Sequence, residues 1–162
     1  MALDIRKGAH AVSFPSKVAS AMTQYGHIFN TVITDNNGVD NGALCVKGDY
    51  VSFDQYEQEA LEATDVITGE ILDQDANGCW FVEFKSLPAD KVVLYLYGSP
   101  VSEYSERELQ AESLWYNAKD EVVQGMMLME TDVAEYSAVA FTGTPVRGAT
   151  VTYDVATNKW TI

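Results

Sequence analysis

Cysteine, histidine and long hydrophobic runs are scarce in this sequence. Its 162 residues include two cysteines, Cys45 and Cys79, and two histidines, His10 and His27. Two cysteines define no disulfide framework, and their spacing from the histidines resembles no zinc site. The longest apolar run, at 92–97, is far too short to span a bilayer. Because the start of the chain also lacks a secretory signal, we expect a soluble protein made in a reducing cytoplasm, with free thiols and no membrane partner.

Basic residues are also few, and they are unevenly distributed. Twenty-four acids against ten bases give a net charge of −14. Residues 1–29 carry a net charge of +2 (three bases, one acid), whereas residues 51–100 carry −8 (two bases, ten acids). A body this acidic repels a phosphate backbone, so we expect no nucleic-acid partner. Two explanations of the acidic surface are open. It keeps the protein soluble, or the acidic part of the chain faces solvent while the basic N-terminal part contacts an acidic partner.

Short apolar segments punctuated by turn residues dominate the chain from Phe29 onward. Their spacing of roughly eight to twelve residues is typical of a β-barrel or β-sandwich. Little helix is expected; one short helix is suggested by Ser105, three positions before Glu108, as a capping box. The sequence therefore predicts an all-β fold, a single compact barrel or sandwich of short antiparallel strands with at most one or two short helices.

The segment DKVVLYLYG is the clearest buried strand in the sequence. Because side chains alternate along a strand, Val93 and Tyr95 should lie on one face and Leu94 and Leu96 on the other. We expect this strand to be central to the fold.

The first 29 residues differ from the rest because they show neither a strand period nor a helix period. Small residues dominate, and either an extended arm or a short helix beginning at Pro15 is compatible with them. We therefore divide the chain into an N-terminal arm, 1–29, and a β domain, 30–162. The alternative is that the segment packs as an integral strand of the same domain.

The arm is predicted to bind a partner, with basic side chains supplying attraction and aromatic side chains supplying apolar anchors. The predicted contact residues are Arg6, Lys7, Phe14, Lys17 and Phe29.

The segment DQDANG resembles half of a calcium loop. Asp73, Asp75 and Asn77 occupy the first three ligand positions, and Gly78 follows. An EF-hand loop also needs a bidentate Glu at position 12, where this chain has Phe84. Because Asn and Gly accept positive φ readily, the same residues suit a hairpin. We predict a hairpin turn without a metal; a weak calcium site on the three oxygen-bearing side chains is the alternative.

No residue pattern in the sequence indicates catalysis. The two histidines lie in the predicted arm, and the two cysteines have the strand-like surroundings of small core residues. No phosphate-binding loop is present. We therefore expect no enzymatic activity, no catalytic residues and no cofactor. The three tryptophans at 80, 115 and 160 suit either a sugar-stacking platform or core packing, and strand alternation favours the core.

Two stretches resemble a known group of proteins. They are residues 30–57, in which an NG turn leads to a KGD step, and residues 114–154. The second stretch contains a YNAKGD-like hairpin without its Gly and a GTP-x-x-G turn. Matching positions are Asn117, Ala118, Lys119, Asp120, Gly143, Thr144, Pro145 and Gly148. These stretches resemble small structural proteins of tailed bacteriophages, of the minor capsid or head-decoration type.

The resemblance implies a virion structural protein that is made in the host cytoplasm and then bound to the capsid surface. Its expected partners are the major capsid protein or other virion proteins, either as a homo-oligomer or bound to the lattice. The alternative is a carbohydrate- or host-surface-binding module on the virion that uses exposed aromatic side chains. A third possibility is a small hydrolase. The resemblance carries no catalytic residues.

Overall fold

Twelve β-strands form two layers in the part of the chain that is described by the computed structural model, residues 10–19, 28–98 and 116–162. The strands are β1 (Ser13–Lys17), β2 (Ile28–Val32), β3 (Leu44–Tyr50), β4 (Gln55–Glu59), β5 (Thr68–Gln74), β6 (Trp80–Ser86), β7 (Val93–Tyr97), β8 (Val122–Met127), β9 (Val133–Tyr136), β10 (Phe141–Thr142), β11 (Thr150–Asp154) and β12 (Lys159–Thr161). One 3-10 turn, Ala138–Ala140, precedes β10. The all-β prediction is confirmed. The suggested capping box at Ser105 lies outside the described residues.

One layer is an open sheet and the other is closed on itself. The open sheet has seven strands in the order β1-β9-β6-β5-β11-β12-β10. The other layer is a closed barrel in which β2, β4, β3, β7 and β8 follow one another and β8 pairs with β2. Most pairs are antiparallel, but β2 pairs with β4 and β10 with β12 in parallel. The expectation of antiparallel strands throughout is wrong at these two pairs. In each pair, one further strand lies between the two partners in the sequence and reverses the chain direction, so the partners run the same way.

Strand β7 separates two hydrophobic cores. Val93 and Tyr95 belong to the large core between the sheet and the barrel, whereas Leu94 and Leu96 belong to the core inside the barrel. All four side chains are buried, as expected for a strand with apolar cover on both faces. The predicted central strand and its two faces are therefore confirmed.

Tyrosine hydroxyls join the two layers across the large core. The backbone N–H of Leu44 in the barrel donates to Tyr153 Oη of the open sheet (3.0 Å). The hydroxyl of Tyr136, also in the open sheet, donates to the carbonyl oxygen of Gly42 just before β3 (2.8 Å). Each bond satisfies a polar group that would otherwise be buried without a partner, so the tyrosines also fix how the layers dock.

The N-terminal strand β1 is an integral part of the open sheet. It pairs antiparallel with β9, and the residue that follows it, Val18, is fully buried. The hydroxyl of Ser13, also fully buried, lies 2.5 Å from Tyr95 Oη on β7. Pro15 lies within β1 and does not begin a helix; at a sheet edge its missing N–H leaves no ladder bond unmade.

The predicted division of the chain at residue 30 is therefore wrong where the structure describes the N-terminal region. Residues 10–19 belong to the β domain, and β2 begins at Ile28, two residues before the predicted boundary. The alternative of an integral strand is the correct one for β1. Residues 1–9 and 20–27 lie outside the described part of the chain.

Candidate functional site

The turn between β3 and β4 places an aromatic side chain at the tip of the barrel. Val51 N–H donates to the carbonyl oxygen of Gln55 (2.8 Å), and Gln55 N–H donates to that of Ser52 (3.0 Å). The two central residues, Phe53 and Asp54, have φ values of +52° and +58°. Two consecutive positive φ values define the type I′ turn that suits a twisted hairpin.

Phe53 is an unusual residue for this position. Type I′ turns favour Asn and Gly, because a bulky side chain with positive φ is strained by about 1–2 kcal/mol. The Phe53 side chain nevertheless gains no burial in return, since the residue is 89% exposed. A strained backbone that holds an apolar ring in solvent is not explained by stability, and residues of this kind concentrate at functional sites.

Further aromatic and apolar side chains flank Phe53. Tyr50 and Val51 at the end of β3 are 60% and 49% exposed. The Tyr50 ring packs edge-on against Tyr56, with 5.5 Å between ring centroids, and Tyr56 packs edge-on against Phe29 at 5.4 Å. An aromatic chain therefore runs from the exposed tip into the barrel. We call Tyr50, Val51 and Phe53 the aromatic tip.

Hydrogen bonds and one cation hold the aromatic tip in place. Asp54 N–H donates to Tyr50 Oη (3.1 Å), and Asn30 Nδ2 on β2 donates to the carbonyl oxygen of Asp54 (3.2 Å). The ammonium group of Lys47 lies 4.5 Å from the centroid of the Tyr56 ring, within the range of a cation–π contact. The tip is thus presented by a preorganised turn.

Exposed carboxylates lie on the hairpin that carries the aromatic tip. Asp49, Asp54 and Glu57 are all exposed on the same hairpin. The one basic residue between 47 and 59 is Lys47, which is half-buried and lies over aromatic rings. The exposed charge of this hairpin is therefore negative, and we call Asp49, Asp54 and Glu57 its negative rim.

The contact residues predicted in the N-terminal segment are not gathered into one site. Phe14 and Lys17 lie on β1, at one edge of the open sheet, whereas Phe29 lies on β2 of the barrel. Phe29 is half-buried, and its ring packs against the barrel core. Arg6 and Lys7 lie outside the described residues. Of the three that the structure describes, Phe29 is the one connected to the aromatic tip, through the Tyr56 ring that packs against both Phe29 and Tyr50.

The segment that resembles a calcium loop is the turn of the β5–β6 hairpin, as predicted. The Asp75 carboxylate accepts hydrogen bonds from the backbone N–H groups of Asn77 and Cys79, at 2.9 and 2.8 Å. Gly78 has the positive φ that the turn requires. Asp73 Oδ1 accepts a hydrogen bond from the following backbone N–H. Within the described ranges no group of three or more His, Cys, Asp or Glu side chains is arranged to hold a metal ion.

A carboxyl pair links this hairpin to β9. A hydrogen bond with Glu135 is the largest cause that lowers the pKa of Asp75. The pKa of Glu135 is raised to about 7, first by burial and then by the hydrogen bond and negative charge of Asp75. Glu135 lies between Phe14 and Phe81 in the strand register, which explains the loss of water around it. Just below neutral pH the Glu135 carboxyl is therefore protonated and able to donate a hydrogen bond to the Asp75 carboxylate.

The two cysteines are small buried residues, as expected. Cys45 lies in the barrel core, and burial raises the pKa of its thiol to about 12. It is therefore not a nucleophile at neutral pH. Cys79 is also buried.

His10 has a carboxylate partner. Its Nδ1 lies 2.7 Å from Asp40 Oδ1, while Asp40 Oδ2 accepts the backbone N–H of Ala11 (2.9 Å). Among the described residues no hydrogen bond joins His10 to a Ser, Thr or Cys side chain. The pair therefore ties the start of the described chain to the loop before β3, and His27 lies outside the described residues.

Two of the three tryptophans contribute to the large core. Trp160 is fully buried and Trp80 is half-buried against that core, as strand alternation favours. Trp115 lies outside the described residues. A tryptophan platform for sugar stacking is therefore absent from the part of the chain that the structure covers.

Comparisons with protein-family models, with curated proteins and with solved structures find no match to this chain. No helix in the described ranges has both the length and the apolar character needed to cross a membrane.

Sequence reasoning missed the aromatic tip. The stretch VSFDQY has ordinary strand-like alternation, and the Asn-Gly pair that signals a type I′ turn is absent. The turn is revealed by the positive φ values of Phe53 and Asp54 and by the backbone hydrogen bonds that close it.

Proposed function

We propose that this protein is a non-enzymatic structural component of a bacteriophage virion that binds the capsid surface through the aromatic tip. The observation that carries the proposal is the outward presentation of Phe53 on a strained, hydrogen-bonded turn. Exposed aromatic anchors that enter a pocket on a partner dominate the binding energy of many interfaces. The resemblance of residues 30–57 to phage head proteins covers this hairpin and supports the same role.

The position of the aromatic tip suits attachment to a lattice. A preordered turn loses little conformational entropy on binding, so more of the contact energy contributes to affinity. Repeated copies on a symmetric shell bind neighbouring sites, and even modest single-site affinity then gives stable occupancy if copies contact one another. The partner is the major capsid protein or another virion protein. The predicted basic arm is replaced in this proposal by the β3–β4 hairpin.

Quantitative mass spectrometry of purified virions tests the proposal. We expect the protein in many copies per particle, and we expect purified protein to rebind capsids that were assembled without it. Absence of the protein from washed virions, together with no rebinding, would show the proposal to be wrong.

The exposed rings of Tyr50 and Phe53 also favour a second candidate, a carbohydrate- or host-surface-binding module on the virion. Sugar rings stack on exposed aromatic faces, and Asp54 and Gln55 would supply neighbouring polar groups. A glycan array separates the two candidates. A specific glycan signal that disappears on Tyr50→Ala, with no rebinding to capsids, would favour the second.

A further inference from the structure

We infer that the partner of the aromatic tip is a protein pocket that is apolar at its base and lined by Lys or Arg at its rim. This inference rests on the proposed function and names the chemistry of the partner. Three properties of the β3–β4 hairpin support it: its largely satisfied backbone pairing, its exposed aromatic ring and its negative rim.

The first property limits recognition by strand addition at this site. Strand β3 pairs with β4 on one side and β7 on the other, and β4 pairs with β3 and β2. The pairing of β3 with β7 covers Leu44–Val46, so only the last residues of β3, next to the turn, leave backbone groups open on that side. So short a stretch is a poor template for strand addition, which leaves side chains as the main means of recognition, and Phe53 is the most exposed large apolar residue described. An isolated ring of this kind fits a pocket better than a flat surface.

The second and third properties define that pocket. Desolvation of Phe53 requires an apolar base. Because Asp49, Asp54 and Glu57 are exposed on the same hairpin, docking of Phe53 brings their charges towards the partner, and like charges there would oppose docking. Basic side chains at the pocket rim remove that opposition and attract the hairpin from a distance. Lys47 does not neutralise the rim from within, because its ammonium group is held over Tyr56 and Phe29. An anionic membrane surface would repel the same rim.

Phe53→Asn separates binding from folding. Asn tolerates a positive φ far better than Phe, so the variant should fold and melt about 2 °C higher than the parent, or at least no lower. Its affinity for capsids that lack the protein should nevertheless fall more than tenfold. The matched control is Val146→Ala, which removes an exposed apolar side chain (53%) outside the tip and should leave affinity unchanged. Unchanged binding by Phe53→Asn would overturn the inference.

The charge of the rim is tested with isosteric amides. Asp49→Asn and Asp54→Asn should each lower the association rate with the same capsids by about threefold or more at low salt, and the difference should shrink as salt is raised. Asp90→Asn, which neutralises an exposed acid on the β6–β7 connection, should have no such effect. Faster association of the amide variants would mean that the partner rim is acidic, contrary to the inference.

Vesicles provide the alternative surface. Binding to phosphatidylserine or phosphatidylcholine vesicles that is lost in Phe53→Asn would identify a lipid partner and overturn the protein-pocket inference. The proposed function and the pocket inference fail on different results. If no variant, including the parent, binds capsids, the proposed virion role fails. If the parent binds and the Phe53 and rim variants bind equally well, the virion role stands, but the aromatic tip is not the contact and the pocket inference fails.

Discussion

Leu94 illustrates how one residue depends on the closure of the barrel. Its side chain is fully buried in the barrel core, and a Cβ added at Gly125 would lie 2.9 Å from Leu94 Cδ1. The pleated strands thus leave little free space around this side chain.

We therefore expect Leu94→Ala to lower the free energy of unfolding by roughly 2–5 kcal/mol, since the lost apolar contacts leave a cavity that tight packing prevents from collapsing. Denaturant unfolding measures the change. Val66→Ala, at a 56% exposed position, is the control and should change stability by less than about 0.5 kcal/mol. A loss below about 1 kcal/mol for Leu94→Ala would contradict the two-core arrangement.

Glu135 should make stability depend on pH. Its pKa is about 7 in the folded protein, whereas the ordinary glutamate pKa of 4.5 applies to the unfolded chain. The folded state therefore retains a proton that the unfolded chain releases at lower pH, so the free energy of unfolding falls as pH rises from about 4.5 to about 7 and changes little above it. Because the side chain is partly exposed, we expect a loss of only about 1–2 kcal/mol.

Glu135→Gln tests this dependence. Its neutral amide still donates a hydrogen bond to Asp75 but does not titrate. Denaturant unfolding is measured at pH 5 and at pH 8. From the lower to the higher pH, the free energy of unfolding should fall more in the parent than in the variant. Other titrating groups contribute equally to both proteins, so they cancel when the two losses are compared. Equal losses in the two proteins would show that Glu135 does not hold the extra proton.

Among the elements, β1 was the hardest to predict from sequence. Its five residues are half-polar, it contains Pro15, and its partner β9 lies more than 110 residues later in the chain. No local pattern encodes such a pairing. The hairpin around Asp75 was predictable for the opposite reason, because its turn chemistry is local: a carboxylate accepts N–H groups two and four residues ahead, and Gly78 supplies the positive φ.

A chain shortened to begin at Asn30 should fail to fold cooperatively. It would lack β1, expose the edge of β9 and lose buried Val18 from the large core. Thermal circular dichroism should show no sharp transition. Full-length Lys17→Ala, which alters an exposed side chain of β1 and retains the strand, should melt within about 2 °C of the parent. If the shortened chain melts at the parent temperature, β1 contributes nothing to the fold.

At the scale of the whole molecule, composition and alternation were sufficient to predict an all-β protein and its central strand. They were not sufficient to predict two layers of different kinds. Closure of the barrel depends on the parallel pairing of β2 with β4, and no turn residue signals it. The aromatic tip was missed for a related reason: exposure of Phe53 is a property of the assembled hairpin, and the sequence pattern there is that of any half-buried strand.

The two layers should unfold together. The two cores share β7, whose alternate side chains belong to both, and tyrosine hydroxyls bond one layer to the backbone of the other. In a Trp115→Phe background, fluorescence reports Trp80 and Trp160 of the open sheet, while far-ultraviolet circular dichroism reports both layers. We expect the two signals to give one coincident denaturation curve.

The tyrosine bonds make that coupling testable. Tyr153→Phe leaves the buried N–H of Leu44 without its partner and should lower the free energy of unfolding by about 1–3 kcal/mol. Because the bond joins the layers, the loss should appear equally in fluorescence and circular dichroism, with the two curves shifted together. Tyr50→Phe, which removes an exposed hydroxyl at the barrel tip, is the control and should shift neither curve by more than about 1 kcal/mol. Curves that separate in the parent protein would mean that barrel and sheet are independent folding units.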